Sequence, residues 1–168
     1  LLASQPRLGQ IVHVLGDRNR DGVSDGQQVL ISKLDLPNGI DFHENRLYIA
    51  ESGAITRVPY VESGRDAIAI DGDPVRIVED VPKGGNHWRR LLRFGPDGGL
   101  YLTVGSSCNV CEEEDPRRAS ILRYEPDGSG EVIYASGLRN SAGFDWQPNT
   151  NVLFATDNGR DLLGDDYP

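Results

Sequence analysis

The chain has 168 residues, 38% of them hydrophobic and 26% charged, enough for one domain with a real core. Its net charge of −9 repels nucleic acid and anionic membrane surfaces, and no apolar run approaches the ~18 residues of a membrane span. Gly (20) and Pro (10) fall largely in turn-forming dipeptides, so short strands are expected rather than long helices.

The N-terminal LLASQPRLG lacks the charged start and long apolar stretch of a signal peptide, and the chain contains no Met, so processing or truncation is expected. VHVLGD and QQVLISKL read as two strands joined by DRNRDGVSDG. In that turn Asp17, Asn19, Asp21 and Asp25 take positions 1, 3, 5 and 9 of an EF-hand-like loop, with Gly22 at position 6. Position 12 is Gln28 instead of the bidentate Glu, and no helices flank the loop. Two readings stand: a structural calcium site, or a polar turn built from Asp and Gly.

LPNGIDFHENRLYIAES from Leu36 reads as a hairpin, ITRVPYV with VRIVEDV as the next, and RRLLRFGPDGGLYLTVGS from Arg89 as a third. Cys108 and Cys111 follow at CxxC spacing. Haem attachment is excluded because Glu112 stands where His is required, and zinc lacks a second ligand pair. A local disulfide in an oxidising compartment is expected, with free thiols as the alternative. CEEEDPRR, residues 111–118, reads as a solvated loop in which Arg117 and Arg118 pair loosely with the acids. ILRYEPDGSGEVIYASGL and RNSAGFDWQPNTNVLFATDNG complete the hairpins. Of the remaining histidines, His13 alternates with Ile11 in a strand and His43 lies in a hairpin turn, so both read as structural or solvated.

These hairpins repeat. Phe42, Phe94 and Trp146 recur at intervals of 52 residues, and Tyr48, Tyr101 and Phe154 at intervals of 53. Four strands per ~50 residues is the signature of a β-propeller blade. The expected architecture is all-β, one domain over 1–168, with about three four-stranded antiparallel blades at approximately 10–50, 55–104 and 120–157. Propellers close with about 4–8 blades, so the missing ones are expected from the rest of a longer chain or from self-association. Asn38, the Asn86-His87 pair and Arg139-Asn140 stand just before the first strand of each hairpin. In a propeller they would ring one mouth of the central channel.

The run from NHWRRLLRFGPDGGLYLTVGS through GLRN to DNGRDLLGDD resembles the soluble PQQ-dependent sugar dehydrogenases, most of all their sorbosone/glucose dehydrogenase branch. The combination of H-x-x-R before FGPDG-LY, GLRN and D-N-G-R carries the resemblance, which covers about residues 36–168. It implies an N-terminal portion of a six-bladed propeller, periplasmic or secreted, that binds pyrroloquinoline quinone (PQQ) and calcium. It implies oxidation of a sugar or a sugar-derived aldehyde or alcohol, with electrons passed to an acceptor the sequence does not identify. His87 would be the general base, taking the hydroxyl proton as hydride moves to the quinone. Arg139 and Asn140 would grip the quinone, and the backbone carbonyls of Gly159 and Arg160 would hold the calcium. Asp165 or Asp166 would orient the base. Arg160 stands where the family usually carries proline, and the family's later Lys and Arg ligands lie beyond this chain. Alternatives on the same fold are a non-catalytic propeller binding module and a calcium-dependent lactonase.

Overall fold

The computed structural model describes residues 1–62 and 68–164. Strands β1 (Leu2–Gln5), β2 (Gln10–Val14) and β3 (Gln27–Ile31) form a first antiparallel sheet, with a 3-10 turn, Pro6–Leu8, between the first two. β4 (Ile40–His43), β5 (Arg46–Ala50), β6 (Ile55–Glu62), β7 (Ile68–Ile70) and β8 (Val75–Val78) form the second. β6 is long enough to pair β8 through Ile55–Arg57 and β7 through Tyr60–Glu62. β9 (Leu92–Phe94), β10 (Leu100–Val104), β11 (Ser120–Tyr124) and β12 (Val132–Ser136) form the third, and β13 (Ser141–Trp146) pairs β14 (Leu153–Asp157) in the fourth. All pairings are antiparallel between sequence neighbours apart from β8 with β6, and no α-helix occurs among the described residues.

The all-β expectation is met, but the sheets divide the repeat in a different phase from 10–50, 55–104 and 120–157. The stretch 10–50 holds the end of one sheet and the start of the next. A repeat period defines the length of a unit and not where it begins, and hydrogen bonding places the boundary before β4, β9 and β13. The repeat itself is in register. Phe42 pairs Leu47, Phe94 pairs Leu100 and Trp146 pairs Leu153, so the two aromatic series sit on equivalent rungs of three hairpins.

Packing follows from the two-residue period of a strand. Along β5, Leu47 and Ile49 face a cluster shared with Ile11, Ile31 and Val58 of the first and second sheets. Tyr48 and Ala50 face the opposite cluster, shared with Leu100, Leu102, Val104 and Leu122 of the third. On β10 Tyr101 turns the other way, toward Ile121 and Phe144. Sheets therefore stack face on face, and the central strands β5 and β10 are buried on both sides. The aromatic series mark each junction. The Tyr48 ring meets Phe94 of the next sheet edge-on at 4.7 Å, and Tyr101 meets Trp146 at 4.9 Å. Their equivalent in the fourth sheet, Phe154, is 62% exposed.

Leu102→Ala should cost roughly 2–5 kcal/mol in urea unfolding, because it opens a cavity in the largest cluster. Phe154→Ala in the same 168-residue chain should change stability by no more than about 0.5 kcal/mol, since its ring faces solvent.

Candidate functional site

The segments preceding β4, β9 and β13 lie side by side, tied by backbone bonds from one sheet to the next. Gly39 N–H donates to Arg90 O at 2.8 Å, and Ser106 N–H donates to Arg139 O at 2.8 Å. Two glycines permit this approach. A Cβ at Gly39 would lie 2.6 Å from Leu92 N, and one at Gly105 would lie 2.5 Å from His87 Cβ and 3.3 Å from Asn140 Oδ1. Three clefts open at this end. One of about 280 Å³ is lined by Asn86, His87, Trp88, Arg89 and Asn140. A second of about 200 Å³ holds Asn38, Thr103, Asn140 and Ser141 among its walls. A third of about 500 Å³ lies between residues 4–8 and Trp88. Arg89 borders all three. The structure places Asn38, His87 and Asn140 on adjoining clefts, with Asn140 shared between the one that holds His87 and the one that holds Asn38.

His87 is oriented by its neighbours. Nδ1 lies 2.9 Å from Ser106 O and 3.0 Å from Ser106 Oγ. A carbonyl oxygen only accepts, and Ser106 Oγ spends its own proton on Cys108 O at 2.7 Å. Nδ1 therefore carries the hydrogen, and Nε2 of the neutral ring keeps a free lone pair. The segment that carries His87 has no regular structure, so its carbonyls need donors from elsewhere. Arg90, fully buried, donates through Nη1 to His87 O and through Nη2 to Pro82 O. Burial, assisted by the charge of Arg118, lowers its pKa to about 10, so it remains a cation at neutral pH. Arg118 donates to Lys83 O and Gly84 O. The charge run 111–118, expected to be a loosely paired solvated loop, is instead a clasp: Arg117 grips Asp115 and Asp80, while Arg118 fastens the His87 segment.

Arg139 also differs from expectation. Its guanidinium lines none of the three clefts. Nε donates to Asn109 O, Nη1 to Asn158 O and Gly159 O, and Nη2 to Asn109 Oδ1 and Asp161 Oδ2, so every N–H it owns is engaged. Asn109 lies inside the four-residue ring closed by the Cys108–Cys111 disulfide, which the structure forms as expected. The disulfide ring thus holds Ser106, and through it His87, on one side and Arg139 on the other. Asp157 caps the turn by accepting the Arg139 and Asn140 backbone N–H groups.

Calcium does not fit the 158–161 loop in this arrangement. The Gly159 carbonyl offered to it already holds Arg139 Nη1 at 2.8 Å, a cation where another cation would sit. Arg160, the other expected carbonyl ligand, is exposed beside it. In the 17–25 turn the side chains likewise serve the backbone: Asp17 accepts from the amides of Asp21 and Gly22, Asn19 Oδ1 also from Asp21, Asp21 from Val23, and Asp25 from Arg18. Among the described residues the Asp17, Asp21 and Asp25 carboxylates do not converge on a common point; the one acidic and sulfur cluster found, Cys108, Cys111 and Glu113, has its sulfurs in the disulfide. Asp165 and Asp166 lie outside the described residues. His13 is buried in β2 and His43 stacks on Phe94 at 4.2 Å, both structural. The sequence reading missed Arg89, Trp88, Ser106 and Asn109. The two cationic side chains in HWRR look alike in sequence, and only tertiary burial separates the structural Arg90 from the exposed Arg89.

Gly105→Ala should push His87 off Ser106, and the Nδ1-protonated ¹⁵N signature of the ring should disappear. Reducing the Cys108–Cys111 bond should speed amide exchange in 106–113 and 158–161 but not in β10, read by hydrogen-exchange mass spectrometry.

A sequence family described as "Domain of unknown function (DUF7133)" matches residues 3–166. An uncharacterized protein of Borreliella burgdorferi is 34% identical over 142 residues, covering 80% of this chain and 37% of that protein. Among solved structures, the PQQ domain of pyranose dehydrogenase from Coprinopsis cinerea superposes with a TM-score of 0.72 at 19% identity, over 95% of this chain and 43% of that one. The PQQ-bound aldose sugar dehydrogenase from Streptomyces coelicolor gives 0.65 at 25% identity, over 95% and 53%. A nidogen/laminin complex gives 0.59 at 17% identity, over 93% and 52%. The chain spans about half the length of these solved proteins, or less, and its all-β fold of antiparallel sheets matches that of the PQQ β-propeller proteins. With residues 3–166 matched, the chain belongs to the DUF7133 family.

Proposed function

We propose that this chain supplies the base-bearing half of a PQQ-dependent dehydrogenase acting on sugars or sugar-derived alcohols and aldehydes. In this reading its sheets are about three blades of a six-bladed ring, the remaining blades come from a longer chain or a second copy, and the protein works in the periplasm or outside the cell. The observation that carries the proposal is His87, held in its Nδ1–H tautomer by Ser106 with Nε2 free beside Asn140.

The donor set suits an oxygen-rich, anionic quinone. No Asp or Glu lines any of the three clefts. The Asn38 and Asn140 amides have no side-chain hydrogen bond among the described residues, and Ser141 Oγ is buried without a partner in the wall beside Asn140. A buried hydroxyl without a partner is costly, and a ligand oxygen would satisfy it. When bound, PQQ supplies the acceptor for the hydride leaving the substrate carbon. His87 Nε2 takes the hydroxyl proton of that carbon, leaving a carbonyl product. The Ser106 carbonyl, already accepting from Nδ1, stabilises the imidazolium that results. Asn140 and Asn38 donate to ligand oxygens, and Arg89 contributes the cation that Arg139 withholds. Arg139 serves the site indirectly, by joining the disulfide ring to the 158–161 loop.

The likeness to the nidogen/laminin complex keeps a non-catalytic binding module as the second reading. A module that only binds has no need of a tautomer-fixed histidine facing a cleft.

Adding PQQ to the purified protein should shift the quinone absorbance, and a panel of aldoses should then reduce a dye. His87→Ala should keep PQQ bound and lower dye reduction by about 10²–10⁴-fold. Loss of PQQ in that variant would assign His87 to binding, and no absorbance shift in the parent protein would favour the binding module.

A further inference from the structure

The cleft of about 500 Å³ between residues 4–8 and the Trp88-Arg89 pair is the largest of the three and has no part in the proton transfer assigned to His87. Its size is that of a small-molecule site. Its chemistry is lopsided for this protein. The chain carries 26 acidic residues against 17 Lys and Arg, yet this cleft is lined by Arg7 and Arg89 and by no acid. Of the other described arginines, Arg76, Arg93, Arg117, Arg118, Arg123 and Arg139 each have a carboxylate partner, Arg57 and Arg90 donate to carbonyls, and Arg18, Arg20, Arg46 and Arg160 stand outside the three clefts. Arg7 and Arg89 have neither an ion pair nor a side-chain hydrogen bond among the described residues. The Trp88 indole N–H and the Asn38 amide, also in the wall, are likewise unspent there. Trp88 adds an aromatic face, over which the Arg89 guanidinium stands at 5.7 Å.

We propose that this cleft binds the carboxylate-bearing end of an acidic saccharide, a uronate, whose other end reaches the His87 cleft through the shared Trp88 and Arg89. The inference rests on the dehydrogenase reading for the reaction, but not for the binding. A neutral sugar gives two unpaired guanidinium groups nothing to neutralise, whereas a carboxylate accepts their paired N–H donors. The sugar ring's C–H face suits the indole, and its hydroxyl oxygens accept from Trp88 Nε1–H and Asn38. In an otherwise acidic protein such an acid-free mouth also draws anionic ligands toward it.

The test is isothermal titration of the cofactor-free protein with D-glucuronate, D-glucose and PQQ in separate arms, on the parent, Arg7→Gln and Arg7→Lys. Arg7 is exposed and bonded to nothing among the described residues, so its variants should fold as the parent does. Glucuronate should bind and glucose should bind at least tenfold more weakly. Arg7→Gln should weaken glucuronate about tenfold, Arg7→Lys should restore part of the loss, and PQQ affinity should not change. Equal affinity for glucose and glucuronate would overturn the proposal. So would a parallel loss of PQQ and glucuronate in Arg7→Gln, because the cleft would then belong to the cofactor. Failure of PQQ to bind anywhere, with glucuronate binding intact, would sink the dehydrogenase reading and leave this subsite standing.

Discussion

The edge-on contact between the second-strand aromatic of one sheet and the first-strand aromatic of the next sets the architecture. Tyr48 against Phe94 and Tyr101 against Trp146 are the same contact made twice, with ring centroids at 4.7 and 4.9 Å. A T-shaped pair couples two sheets at a defined spacing and angle, which a purely aliphatic face would leave looser. Both pairs grow from hairpins of identical register, so each sheet is set on its neighbour in the same way. The buried central strands follow, because a sheet gripped from both sides must be apolar on both faces. Phe154 shows the rule by its exception: it occupies the same rung, no ring covers it among the described residues, and it stands in solvent.

Repetition of that contact also makes the functional end. When successive hairpins stack alike, the segments leading into β4, β9 and β13 arrive side by side, and polar residues spaced far apart in sequence face one set of clefts. These entry segments are irregular, so their carbonyls are not satisfied by a ladder. Arginines fill the gap: Arg90 and Arg118 hold the His87 segment, and Arg139 holds the disulfide ring to the 158–161 loop. A guanidinium suits this work because its five donors radiate in a plane and can bind several carbonyls at once. The disulfide shortens the one loop that touches both His87, through Ser106, and Arg139, through Asn109.

The electrostatics of the molecule are divided accordingly. Acids serve ion pairs, turns and the clasp, as with Asp115, Asp80, Asp157 and the Asp17–Asp25 turn, while none lines the mouth. An acid-free concavity in a protein of charge −9 is a specific electrostatic feature, and it is the ground shared by the quinone and uronate proposals.

The sequence by itself determined the hairpins, their ~50-residue repeat and the rungs of the aromatic series, because strand alternation and turn chemistry are local and every copy obeyed them. It also set Asn38, His87 and Asn140 in the segments that enter three successive hairpins, but at unequal offsets from Phe42, Phe94 and Trp146, so the repeat alone does not make their side chains equivalent. The tertiary structure alone decided where one sheet ends and the next begins, since a period has no intrinsic phase. It alone decided the fates of four arginines. Arg89 and Arg90 are adjacent in the chain, yet one reaches the clefts and the other is walled in on carbonyls. Arg118, in what reads as a solvated charge run, became a clasp, and Arg139, in a motif that reads as a cofactor grip, turned inward to bind five protein acceptors. A cation's role depends on which acceptors lie within reach of its long side chain, and for Arg118 and Arg139 the backbone carbonyls they bind come from loops 19 to 35 residues away in sequence.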